Sequence, residues 1–153
     1  MKIALKYAAF IVLAGFAWLC LEFLIGLHGP YLQYNGVIRW FYFAVPIVFT
    51  WYAVKEAFAA SGDRLTMGQT FGIAFATGAA AVVIAPLYQW AFFTWINPDY
   101  FPTMISAAVE RGIPESTSRA VFNFTAYAVQ RVVFGLVFSA VTALVFALIY
   151  RRR

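Results

Sequence analysis

Charge is scarce in this 153-residue chain: Asp, Glu, Lys and Arg together make up 11% of it, less than half the roughly 25% of a soluble domain. So few charges cannot build a water-facing surface or keep a chain solvated, which excludes both a soluble globular domain and a disordered tail. Cysteine occurs once, at Cys20, so no intramolecular disulfide can form and a disulfide-rich secreted scaffold is excluded. Histidine also occurs once, at His28, which rules out haem ligation by two histidines of one chain. No cluster has zinc spacing. There is no Gly-x-Ser-x-Gly elbow and no glycine-rich phosphate loop. Asp63 and Asp99 fall in separate loops, so aspartyl chemistry lacks its second acid. The expectation is a chain without enzymatic activity, cofactor or metal.

What the chain has instead is apolar residues, 64% of the total against roughly 45–50% in a soluble domain. This is the composition of an integral membrane protein. The net charge is +5, but its placement argues against nucleic acid as a partner. Lys2, Lys6, Arg151, Arg152 and Arg153 flank apolar segments at the two ends, as membrane anchors do. The first apolar run outlasts the roughly 7–15 residues of a removable signal segment, so it reads as uncleaved.

A membrane-spanning helix needs about 20 mostly apolar residues. Four segments qualify, at roughly 4–27, 37–58, 67–96 and 121–150, the last most apolar from about Val132. The expected fold is all-α: one transmembrane domain over 1–153, a four-helix bundle. Gly29-Pro30 and Asn35-Gly36 are turn signals that make a hairpin of the first two spans. Gly62 suits a left-handed helix stop, and Thr66 with Gln69 reads as a capping box for the third helix. Pro98 ends that helix. In the long connection, 97–120, residues 102–111 read as a short amphipathic helix stopped by Gly112, and Pro114 can start the next helix. A helix running unbroken from Glu115 to Tyr150 would be about 54 Å long, too long for a hydrocarbon core of about 30 Å. Pro46 and Pro86 lie mid-span. Neighbouring helices commonly satisfy the carbonyls such prolines free, a simpler reading than a remnant of inverted symmetry.

Counting Lys and Arg sets the orientation. With both termini cytoplasmic, that side holds seven basic residues and the other side four: Arg39, Arg111, Arg119 and Arg131. The 97–120 connection is then extracytoplasmic. Tyr31, Tyr34, Trp40, Tyr42, Trp90, Trp95 and Tyr100 would form the outer aromatic belt, and Trp51, Tyr52 and Tyr150 the inner one.

Small residues recur every four positions in the fourth span, at Gly135, Ser139, Ala143 and Ala147, and in the third, at Gly72, Ala76 and Ala80, with Ala74 and Gly78 alongside. Such stripes let helices approach closely. They predict packing of the third and fourth spans on each other or on Ala14, Gly15 and Ala17 of the first, or else a homodimer. Phe134, Phe138 and Phe146 lie off the stripe, facing lipid or filling grooves.

The sharpest feature is Glu22, an acid inside a span, which is by default a functional hypothesis. From the rise per residue, Glu22 lies about 10 Å from mid-span, with Arg39, Gln89, Gln130 and Arg131 at comparable depth. One reading of this polar layer is a buried ion pair of Glu22 with Arg131 or Arg39 that fixes helix register. The other is a proton-linked carboxylate or a small polar ligand site. Two arginines for one glutamate favour the ion pair. His28 reads as a turn histidine exposed at the membrane edge, Lys55-Glu56 as a snorkelling pair, and Asn123-Phe124-Thr125 as a chance glycosylation pattern.

The stretch Gly62-Asp63-Arg64-Leu65-Thr66-Met67-Gly68-Gln69-Thr70-Phe71, the turn Asn97-Pro98-Asp99-Tyr100 and the short helix from Met104 to Arg111 together resemble a domain-of-unknown-function family (DUF4199-like) of small bacterial inner-membrane proteins. The resemblance implies a four-helix bundle in a bacterial inner membrane and carries over no activity. The expected role is a non-enzymatic accessory or scaffold subunit, or a homo-oligomer, whose partners are the lipid bilayer and another membrane protein or itself. The alternative is a small proton-coupled transporter or exporter using Glu22.

Overall fold

A computed structural model describes residues 1–62 and 64–150, except the side chain of Arg39. The C-terminal arginines and Asp63 therefore lie outside the described residues. All regular structure there is helical: α1 (Lys2–Leu24), α2 (Leu32–Tyr42), α3 (Ala44–Ala60), α4 (Met67–Ala91) continued by a π-helical turn (Phe92–Ile96), α5 (Tyr100–Glu110), α6 (Glu115–Val121) and α7 (Phe124–Tyr150). Four helical stretches are long and apolar enough to cross a membrane: Lys2–Leu24, Leu32–Ala60, Met67–Ile96 and Phe124–Tyr150. The chain is an integral-membrane four-helix bundle.

The punctuation of the chain explains these boundaries. Thr66 accepts from the Gln69 backbone N–H while the Gln69 side chain accepts from the Thr66 N–H, so the capping box forms as read. Gly62 and Gly112 take the left-handed conformation at φ 64° and 85°. The first helix stops earlier than its apolar run. Gly26, at φ 80°, lets the Leu27 N–H reach the Glu22 carbonyl and its own N–H reach that of Phe23, a Schellman stop. Span two is broken at Phe43. Three residues on, Pro46 has no N–H for the Tyr42 carbonyl, and its ring crowds that carbonyl. The last helix is not continuous from Glu115 either. It is interrupted at Phe122-Asn123, and Asn123 accepts from the Ala126 N–H at 2.9 Å. The Asn-Phe-Thr pattern is thus the cap of α7.

Span three is the hub. It packs on α1, α3 and, most extensively, α7. Span one presents one buried stripe to it: Ala4, Ala8, Ile11, Gly15, Leu19 and Glu22. Span four uses its small-residue stripe as expected: Ser139, Ala143 and Ala147 are buried. A β-carbon on Gly78 would sit 2.8 Å from the Ser139 Cβ, and one on Gly135 would sit 2.6 Å from Val82. The matching stripe of span three is Thr70, Ala74, Thr77, Gly78 and Ala81. Gly72, expected in it, is exposed, because the helical rows that meet α7 and α1 run through 74 and 78. Phe146 fills a groove against Val54, Phe58, Ala74 and Ala143, while Phe134 is 66% exposed.

At the end that carries both termini, Glu56 pairs with Lys6 at 2.6 Å and accepts from the Tyr7 hydroxyl at 2.8 Å. The expected Lys55-Glu56 partnership is replaced by this inter-helix one, and Lys55 lies over Trp51. At the opposite end Tyr31, Tyr34, Trp40, Trp90 and Trp95 are exposed as a belt requires. Tyr42 and Tyr100 instead turn inward.

Candidate functional site

The site lies at the α5 end of the bundle and begins at Glu22, which is 2% exposed. Trp18, one turn earlier on α1, donates its indole N–H to Oε1 at 2.8 Å. The Schellman stop at Gly26 then folds the chain back, so that His28 Nε2 stands 3.3 Å from Oε2. His28 is buried, which corrects its reading as an exposed turn residue. Its ring is walled by Tyr100 at 4.8 Å and Phe92 at 5.9 Å between centroids. Asn35 ties the loop down by donating to the Leu27 carbonyl at 3.2 Å.

The other ring nitrogen, Nδ1, meets Asn97 Nδ2 at 3.0 Å. Asn97 arrives there through the π-helical turn, whose wider winding sends the Asn97 N–H to the Phe92 carbonyl. Pro98 forces Asn97 out of helical geometry, at φ −136° and ψ 68°. With the Asn97 amide donating, Nδ1 accepts and Nε2 carries the proton toward the carboxylate.

Behind the carboxylate is a void of about 30 Å³, bordered by Gly15, Glu22, Tyr42, Tyr88, Gln89 and Arg131 among others. That is the room one water needs, in a polar setting. Gly15 makes room for two hydroxyls here: a β-carbon would lie 2.6 Å from that of Tyr88 and 2.7 Å from that of Tyr42. Arg131 places its guanidinium over the Tyr127 ring, 5.2 Å from the centroid.

Beyond this layer lies a larger cavity of about 340 Å³, lined from all four spans and from α5. Gln89, Gln130, Arg131 and the rings of Tyr42, Tyr88 and Tyr127 give it polar groups, and Ile11, Val12, Val82, Ala85, Phe101, Met104, Phe134 and Phe138 give it apolar walls. Gln89 is 6% exposed, and its Oε1 has no hydrogen-bond partner. Phe134 and Val121 are exposed as well as lining, so the cavity reaches the outer surface of the bundle.

Of the polar layer read from sequence, Glu22, Gln89 and Arg131 come together around the small void. Gln130 is exposed and joins them only at the larger cavity. The Arg39 side chain lies outside the described residues. His28, Asn97, Trp18 and the two tyrosines Tyr42 and Tyr88 were not read as members. Gly26 inside an apolar run was the signal for His28, since a glycine there can end the helix and turn the chain inward. No group of three or more metal-ligating side chains occurs among the described residues.

Fold and site together define a multi-pass helical membrane protein with a buried polar cluster beside an open cavity between its helices. The chain belongs to the family described as protein of unknown function (DUF4199), whose match covers residues 6–152. Comparison with curated proteins and with solved structures gives no match.

Proposed function

We propose that the protein is a non-enzymatic binding protein of the bacterial inner membrane that holds a small amphiphilic molecule inside its bundle. The observation that carries this reading is the cavity of about 340 Å³ lined from all four spans, in which Arg131, Gln130 and three tyrosines stand among apolar side chains. The volume lies within the range of about 300–1,000 Å³ of ligand pockets, which favour the space between bundle helices. The mixture of a few polar groups with mainly apolar walls matches an amphiphile rather than a wholly polar solute.

The setting is an accessory or scaffold role, as a partner's subunit or a homo-oligomer. The span-four stripe is already covered by span three, so an association would use the lipid-facing sides. The basic residues, seven against four, support cytoplasmic termini with α5 outside. A proton-coupled transporter using Glu22 keeps one supporting observation: Glu22, Arg131 and Gln89 border one void, and the latter two also line the cavity.

The test is extraction in mild detergent followed by native mass measurement. A bound amphiphile near one per chain is expected, and its loss in Ala85→Phe, which fills the cavity, with the helical spectrum unchanged. An amphiphile retained equally by Ala85→Phe would contradict the reading. Saturable solute movement by the purified protein in liposomes would replace it with the transporter.

A further inference from the structure

Resting on that binding reading, we infer that the cavity is filled sideways from the bilayer: a single-chain amphiphile enters through a slot between span two and span four, and the Phe43–Phe138 ring pair is the gate of that slot. The mouth is marked by lining residues that are also exposed, Val121, Gln130 and Phe134. Span four runs from Phe124 to Tyr150, so the rise per residue puts Phe134 about 5 Å and Gln130 about 10 Å from its middle. Both depths fall inside a hydrocarbon half-layer of about 15 Å. An opening there faces acyl chains. Val121 stands in α6, before the span begins, so the slot runs from the interface toward mid-bilayer, the course a lipid chain takes.

The other sides of the cavity are covered by packing. At the α5 end Tyr100, Phe101 and Met104 line it and pack with Phe93 and Tyr127, the Phe93 and Tyr100 rings lying 4.6 Å apart. Toward the termini, Val54 and Phe58 of α3 close on Ala143 and Phe146 of α7, and the Trp51 indole donates to the Tyr150 hydroxyl at 3.1 Å. Between these ends the Phe43 and Phe138 rings, 5.0 Å apart, bridge span two to span four. Both are half-buried and both line the cavity. One ring pair is a light closure. Phe43 is also the residue at which span two is broken, and the end of a helix is where a change of angle is absorbed. The gate ring therefore sits on the hinge.

The experiment follows parinarate, a fluorescent single-chain fatty acid, by energy transfer from the tryptophans of protein held in nanodiscs, after stopped-flow mixing with vesicles that carry the probe. Ala85→Phe supplies the signal of probe that is in the bilayer alone. Phe138→Ala and Phe43→Ala are expected to raise the association rate about three- to tenfold, the worth of one aromatic pair. A residue that merely lines the cavity changes release and leaves association as it was, so association is the deciding rate. Phe101→Ala and Met104→Ala, on the α5 side, should leave association unchanged. If Phe43→Ala does not fold, Phe138→Leu keeps an apolar side chain without the ring pair and should shift association in the same direction.

Binding that is lost in Ala85→Phe, but whose association is unchanged in the gate variants or is raised by the α5-side variants instead, would overturn lateral entry and leave the binding reading standing. A parinarate signal identical in wild type and Ala85→Phe would overturn both.

Discussion

Glu22 sits in an apolar helix because its carboxylate is met by neighbours: the Trp18 indole, the His28 ring and, through His28, the Asn97 amide. Replacing it with Leu strands those donors, whereas Gln keeps an acceptor for Trp18 and nearly the same shape. Glu22→Leu is therefore expected to lower stability by about 2 kcal/mol, and Glu22→Gln by clearly less, in thermal unfolding of the detergent-solubilised protein. Equal losses for the two variants would show that the carboxylate contacts do not hold this end together. Glu22 itself was legible from the sequence as a costly acid in a span, and rise per residue brought Gln89 and Arg131 to its level. His28 was not legible in this way, because its burial depends on a turn at Gly26 that the surrounding Leu and Ile residues disguise as helix.

Among the elements, the close crossing of α4 and α7 sets the tolerance for added volume. Gly78→Ala pushes a methyl into Ser139, an overpacking expected to cost about 1–3 kcal/mol. Ser139→Gly should restore most of it, and a double-mutant cycle measures that coupling. Additive effects would mean the helices simply shift apart. Gly26→Ala forces a side chain into left-handed backbone at φ 80°, worth about 1–2 kcal/mol, and should loosen His28 from Glu22 by the same melting assay. Helix limits set by local chemistry were readable in advance: the Thr66–Gln69 box, Gly62, Gly112 and Pro98. The break at Phe43 and the π-helical turn before Asn97 were not. Both arise where a proline's steric demand is resolved by tertiary packing, and sequence spacing alone does not say which residue yields.

For the whole molecule, the four spans and their antiparallel order follow from apolar length and turn residues, so the bundle was legible almost entirely. The cavity was not, since its lining is gathered from all four spans and α5 and no single segment announces it. Orientation rests on the basic residues. In a Cys20→Ser background, Ser61→Cys should be silent and Glu110→Cys should react with a membrane-impermeant maleimide added to intact cells. The reverse pattern would invert the topology and place the polar cluster on the cytoplasmic side.

The measurement that bears most directly on the binding account is the native mass of wild-type and Ala85→Phe protein extracted side by side in mild detergent. A bound amphiphile near one per chain in the wild type, and absent from the folded variant, is the expected result. Equal retention by both proteins, or wild-type protein that is empty and takes up no added amphiphile, would contradict it.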